Sequence, residues 1–308
     1  FVIEWIWNMG GSGTYVNGTS NSSQNPVFIY DDCGTYNVTL SIVDNNFCDD
    51  DTTITVEVYC LPEPNFSSST ECEGDTTVFT DLSTTGPSPS APIVSWSWNM
   101  GGAGTYVNGT NSTSQNPQYV FDDCDTFNVT LTVTDTNGCT HDTTITVEVY
   151  CNPTANFTAP ALCFDAQPMI FTDTSNNGTG TINQWSWNMG GSGTYVSGTN
   201  SSSEHPQYVF DDCGTYNVSL TVTDDNGCTH DTTITVEVYC EPIANFTYQA
   251  ACVGDTTFFT DVSTTDSAGF VIEWIWNMGG SGTYVNGTSN SSQNPVFIYD
   301  DCGTYNVT

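Results

Sequence analysis

Lysine and arginine are both absent from the 308 residues. Asp and Glu number 35, the formal net charge is −35, and charged residues make up 11% of the chain, against about 25% in an average soluble protein. A chain without cationic side chains cannot neutralise phosphates, which excludes nucleic acid as a partner. An anionic membrane surface would repel it. Phosphoryl transfer lacks its cationic clamps, and a Lys–Asn isopeptide staple cannot form. Ion pairs are limited to three histidines. No apolar run reaches the length of a membrane-spanning helix, and no secretory leader is visible at the N-terminus. Cysteines are never spaced CxxC, and with so few histidines zinc is not expected.

Cysteine itself is plentiful. Thirteen in so polar a chain point to an oxidising, extracellular compartment. They also reveal a repeat. Cys33, Cys48, Cys60 and Cys72 are spaced 15, 12 and 12 residues apart, and so are Cys124, Cys139, Cys151, Cys163 and then Cys213, Cys228, Cys240, Cys252. Equivalent cysteines lie 91, 89 and 89 residues apart from Cys33 through Cys302. Residues 1–39 are identical to residues 270–308. The expected organisation is therefore two whole units, 61–151 and 152–240, between the C-terminal part of one unit (1–60) and the N-terminal part of another (241–308). Both ends are expected to be cuts in a longer array.

Each unit reads as strands. TFNVTLTV (126–133) puts Phe127, Val129, Leu131 and Val133 on one face and Asn128, Thr130 and Thr132 on the other. TTITVEVY (143–150) alternates Ile145, Val147 and Val149 against Thr144, Thr146 and Glu148, and DTNG (135–138) is the hairpin turn between the two. IVSWSWNM assigns Val94, Trp96, Trp98 and Met100 to one face. PNFSSS (64–69), VFTDLS (78–83) and PQYVF (117–121) supply further strands, and GGAGTYVNGTNSTSQN (101–116) reads as a long polar loop. No segment keeps a helical period. Six or seven short strands in about 90 residues describe a β-sandwich, with Trp96, Trp98, Phe127, Val129 and Leu131 in its core.

The order NF…C.GD..VFTD.S…SWSWNMGG…NPQYVF…GTYNVTLTVTD.NGC…ITVEV resembles the PKD domain, the Ig-like repeat of polycystins and many bacterial surface proteins. The resemblance covers every unit. It implies an all-β chain of tandem Ig-like (PKD-type) sandwiches in a linear, beaded array, acting as an extracellular spacer or adhesive module and not as an enzyme. The family's WDFGDG stands here as WNMGG (Trp98 to Gly102), with Asn99 and Gly102 in place of the acids. The cysteine-bearing form is similar to tandem repeats of secreted Bacteroidota proteins.

Catalytic residues are not expected. His141 and His230 share a repeat position where the first unit has Asp50, and His205 replaces the Asn of other copies (Asn25, Asn116); they read as solvated loop histidines. The GGSG runs precede no helix and read as turns, not phosphate loops. The cysteines are expected in disulfides. Cys124 and Cys151 flank a hairpin symmetrically and should face each other across its open end, as should Cys33–Cys60 and Cys213–Cys240. Cys72 and Cys139 then lie at opposite ends of one unit, separated by a strand too long for a disulfide to span. Head to tail, Cys72 of one unit approaches Cys228 of the next, giving an inter-unit bridge. The alternative pairs Cys72 with Cys124 and leaves Cys151 for a neighbour.

Asp122 and Asp123 beside one unit's end, with Asp224, Asp225 and Asp231 around the next unit's turn, form an oxygen-only set suited to Ca²⁺ at the junctions. N-x-S/T sequons recur on one strand at Asn37, Asn128, Asn217 and Asn306, and in the long loop at Asn17, Asn21, Asn108, Asn111, Asn200, Asn286 and Asn290. Others stand at Asn65, Asn156, Asn245 and Asn177. Asp-Thr-Thr, which resembles the O-glycosylation signal of Bacteroidota, marks Thr52, Thr76, Thr143, Thr232 and Thr256. The expected function is a glycosylated, disulfide-stapled extracellular filament or stalk whose partners are neighbouring copies of the same repeat. The rival expectation is an adhesin whose loops hold surface carbohydrate.

Overall fold

The computed structural model describes residues 1–164, 167–265 and 269–308, and the regular structure among them is entirely strand. The chain divides into two compact units, Phe1–Asn152 and Pro153–Thr308. Each contains one complete sandwich and part of another copy.

In residues 61–151 the strands are β1 (Phe66–Ser68), β2 (Glu71–Cys72), β3 (Thr77–Asp81), β4 (Ile93–Asn99), β5 (Gly104–Tyr106), β6 (Gln118–Phe121), β7 (Thr126–Asp135) and β8 (Thr140–Tyr150). One sheet has the order β5-β6-β3-β1 and the other β2-β8-β7-β4. The first short segment changes sheets between β1 and β2. β1 pairs antiparallel with β3, whereas β2 pairs parallel with the end of β8, Val149 opposite Glu71 and Tyr150 opposite Cys72.

Period-2 alternation sets which residues are sealed between the sheets. Val129, Leu131 and Val133 of β7 and Phe79 of β3 are fully buried. Burial of each contributes about 2–3 kcal/mol before entropy is charged. Trp98 packs between Phe66 and Phe79, with ring centroids 5.0 and 5.4 Å away. Tyr106, Tyr119 and Phe121 follow edge to face, and Phe121 stacks on Phe127 at 4.2 Å. Residues 152–240 repeat this with Phe157, Phe171 and Trp187, then Tyr195, Tyr208, Phe210 and Tyr216.

Three readings of the strands need correction. Val94 is exposed, not inward: a bulge between Thr134 and Asp135 pairs Ile93 with Asp135 and Ser95 with Thr134, so Val94 drops out of register and Ile93 takes the inward place. Trp96 and Phe127 are half-buried at the rim of the core, beside the sealed Trp98. The polar stretch 101–116 is also less of a loop than its composition implies. Its residues Gly104–Tyr106 form β5, paired with β6.

In residues 1–60, Val2–Asn8, Gly34–Asp44 and Asp49–Val58 form a three-stranded sheet. Val38, Leu40 and Ile42 are half-buried there, because this segment has no counterpart of β1 and β3 to cover them. Residues 241–308 form a four-stranded sheet from Phe246–Tyr248, Thr257–Asp261, Gly282–Tyr284 and Val296–Tyr299.

Candidate functional site: staples, turns and clamps

Bonds join Cys33 to Cys60, Cys124 to Cys151 and Cys213 to Cys240, with Cα atoms 4.9, 4.9 and 5.0 Å apart. Strand register brings each pair together. Thr126 opposes Glu148 at the open end of the β7–β8 hairpin, and Cys124 and Cys151 lie just outside that rung. With Cys124 bound to Cys151, the Cys72–Cys124 alternative is excluded. The free thiols are Cys48, Cys139, Cys163, Cys252 and Cys302. Neither Cys72, at the end of β2, nor Cys228, which is 1% exposed, is a free thiol.

The turn that carries Cys139 is built by one carboxylate. Asp135 Oδ1 accepts the backbone N–H of Asn137 at 2.9 Å and of Cys139 at 2.8 Å. Asp224 does the same for Asn226 and Cys228, and Asp44 for Asn46 and Cys48. Gly138 and Gly227 supply the left-handed residue that the turn requires, and Phe47 is forced into it in the first copy. These hydrogen bonds hold the Asp44 carboxyl below the usual carboxylate range. The other oxygen, Oδ2, of Asp135 and of Asp224 is buried without a partner.

A second carboxylate ties the two sheets together. Trp96 Nε1 donates to Asp81 Oδ2 at 2.7 Å, while Asp81 Oδ1 accepts the Ser83 N–H. Trp185–Asp173–Ser175 and Trp274–Asp261–Ser263 repeat the clamp. Hydrogen bonds from Ser263, joined by those of Trp274 and Gln293, pull Asp261 down to about 2 against the opposing effect of burial. The FTDxS and SWSW motifs were legible in the sequence, but their partnership was not.

The three histidines are solvent-exposed, as expected, and each also meets a backbone group. His205 Nδ1 accepts the N–H of Asp173 at 3.1 Å. Asn116 and Asn294 do this for Asp81 and Asp261, so the Asn-to-His change preserves an acceptor. His141 Nδ1 lies 3.0 Å from the Pro62 carbonyl, whereas His230 Nδ1 accepts the N–H of Ala155. The sequence explains the switch: the position of Ala155 is Pro64 in the other unit, which has no N–H to give.

Two sandwiches with an Ig-like strand order, a Trp–Asp clamp and a stapled hairpin thus recur at one period. The PKD domain family matches residues 61–151 and 150–240, together more than half of the chain. The chain belongs to the PKD domain family. Among solved structures it is similar to the PKD1 domain of Vibrio anguillarum Epp, at 32% identity over 29% of this chain and 96% of that one, TM-score 0.25. The PKD1 domain from Vibrio cholerae metalloprotease PrtV is 28% identical over 28% and 96%, TM-score 0.24. The fibronectin(III)-like modules of Clostridium thermocellum CbhA are 15% identical over 57% and 94%, TM-score 0.28.

In these PKD units the WNMGG stretch is a tight turn. Gly101 has φ +72°, and a Cβ there would lie 2.3 Å from the Asn128 carbonyl oxygen; one on Gly102 would lie 2.4 Å from the Phe127 ring. Asn99 Oδ1 accepts the Gly101 N–H. No sheet of exposed aromatics lines the following segment. Tyr106 is packed against Tyr119, with its hydroxyl toward the Trp98 carbonyl.

All fifteen sequon asparagines are exposed. Asn17, Asn108 and Asn286 sit at turn tips with positive φ, and Asn37, Asn128 and Asn217 stand on the outer face of the hairpin sheet. Among the Asp-Thr-Thr threonines Thr52 is exposed, while Thr76, Thr143, Thr232 and Thr256 are half-buried; Thr143 lies opposite the sealed Leu131. Among the described residues no three His, Cys, Asp or Glu side chains converge as metal ligands. Asp122, Asp123 and Asp231 are exposed, Asp224 is spent on its own turn, and Asp225 Oδ1 accepts the Thr181 N–H. No described helix is long and apolar enough to cross a membrane.

Proposed function

We propose that the chain is a stretch of an extracellular structural rod, a disulfide-stapled array of PKD units used as a filament or stalk. The observation that carries this reading is the joint after the first copy. Cys60, bound to Cys33, is 3% exposed and donates its N–H to the Pro89 carbonyl of the next sandwich at 2.8 Å. Gly86 of the same loop packs on the Leu61 carbonyl, where a Cβ would lie 2.4 Å from the oxygen. The residue that closes one unit is thereby built into the next, with no flexible linker between them. Cysteine spacing supports a second tie, Cys72 to Cys228, between successive units. Exposed sequon asparagines and a wholly anionic surface suit a glycosylated, protease-resistant fibre, and disulfides suit an oxidising exterior. The carbohydrate-holding adhesin gains no support, since Tyr106 and Tyr195 are engaged in the core ladder.

Small-angle scattering of arrays of two, four and six units tests the proposal. A rod predicts a maximum dimension that grows linearly with unit number. Growth as the square root of unit number would contradict it.

A further inference from the structure

The turn D-x-N-G-C does more than reverse the chain. Asp135 is 3% exposed, and while its Oδ1 is saturated by two N–H groups, its Oδ2 has no hydrogen-bond partner. The group facing that carboxylate is the Cys139 thiol. Burial first, then the charge of Asp135 and a thiol–carboxylate contact, push this thiol up from its ordinary value. No cation can intervene. The strand packed on the turn, β4, and the loop 84–92 before it carry no ionisable residue. On β8 the nearby titratable groups are His141, whose Nδ1 lies against the Pro62 carbonyl, and the exposed Asp142. The second complete unit repeats the device. Asp224 Oδ2 is buried without a partner beside the sealed Cys228, and a Cβ on Gly180 would lie 2.5 Å from that oxygen.

We infer that Asp135 and Asp224 are guards of the hairpin-turn cysteines, positioning residues that slow the exchange of these sulfurs with disulfides. In exchange, the Cys139 proton leaves to solvent and the thiolate attacks one sulfur of a small-molecule disulfide. A new S–S bond forms as the old one breaks, and the reagent's other sulfur departs as thiolate. A buried anion beside Cys139 disfavours the thiolate that must attack. The same anion beside Cys228 disfavours its departure as a leaving group. The guard thus slows both the making and the breaking of bonds at this position. It leaves the pairs at the hairpin's open end, whose neighbouring carboxylates (Asp122, Asp123 and Asp125 beside Cys124) are exposed and not buried, to form first. The inference concerns the reactivity of the hairpin-turn sulfurs and does not require the chain to form a rod.

The first copy provides the control. Cys48 sits in the same turn, with Phe47 for the glycine, but Cys48 is exposed and Asp44 is only half-buried, its Oδ2 accepting the Asn46 side-chain N–H at 3.2 Å. The experiment uses the full chain with serine at the other free positions, leaving Cys139 or Cys48 as the single thiol. The probe is an aromatic disulfide such as dithionitrobenzoate, followed by the released thiolate. Asp135→Asn keeps the Oδ1 acceptor and removes the charge. We expect it to speed the Cys139 reaction about threefold at pH 7, the net of more thiolate and a less nucleophilic one. The gain should shrink as pH rises toward 10 and both forms ionise. Asp44→Asn should change Cys48 far less. An unchanged or slower rate at pH 7 would overturn the inference. So would a gain that persists undiminished to pH 10, since that would report a loosened turn.

Discussion

Replacing Gly101 by alanine separates two demands that the WNMGG turn makes on one residue. The first is conformational: φ is +72°, a region that costs an alanine about 1 kcal/mol. The second is spatial. The new Cβ would lie 2.3 Å from the Asn128 oxygen, and Asn128 is held in the ladder opposite Thr146 of β8, two residues from Thr130, where β4 joins on the other side. Overpacking against a fixed backbone costs a further 1–3 kcal/mol. The total is about 3 kcal/mol, which for a domain of this size lowers the melting temperature by roughly 10–20 °C. Gly109 is the matched control. Its φ is +76° but nothing lies within 4 Å of its would-be Cβ, so Gly109→Ala should cost only about 1 kcal/mol, or roughly 5 °C. Differential scanning calorimetry of the full chain resolves the altered sandwich as a transition below those of its neighbours. Equal depressions for the two variants would refute the close-approach argument.

Replacing Cys124 and Cys151 by serine should destabilise that sandwich by about 3 kcal/mol, the entropy of freeing a 27-residue loop, measured by the same calorimetry. His205→Asn should be neutral within about 0.5 kcal/mol, because Asn116 and Asn294 already fill that place in other copies; a larger loss would show that the ring does more than accept one N–H. In acid, Asp261 is the group to follow. Its folded pKa is depressed to about 2, so its contribution is present above about pH 4, the unfolded value, and is lost as pH falls toward 2. Asp261→Asn should therefore lower stability at pH 5 and lose that effect by pH 2, seen in the calorimetric transition of the C-terminal sheet.

Much of the fold is written in period-2 alternation. Val129, Leu131 and Val133 could be placed from their phase alone, and the open-end cysteine pairs from their symmetry about a DTNG turn. Val94 could not, because a bulge is a one-residue decision made by the partner strand. Residues 1–39 and 270–308 make the limit plain. The identical sequence forms a strand at Val2–Asn8, where residues 39–44 pair with it, and none at 271–277, where Thr308 alone exchanges hydrogen bonds with Asn277. Strand state here belongs to the ladder, not to the segment. The clamps were invisible for a related reason. Asp81 and Trp96 are 15 residues apart in sequence and in different sheets, so no spacing rule joins them. His205 looked like drift in a loop until its acceptor role was seen beside Asn116.

The central claim, a rod whose stiffness is built into covalently tied joints, is met most directly by measuring persistence length. Arrays of these units can be imaged on a surface, oxidised and then after gentle reduction, with far-UV circular dichroism recording whether the sandwiches remain folded. The account predicts a persistence length of several units when oxidised, which shortens on reduction while the β-sheet signal is still intact. Flexible-chain bending in the oxidised array, on the scale of a single unit, would contradict it.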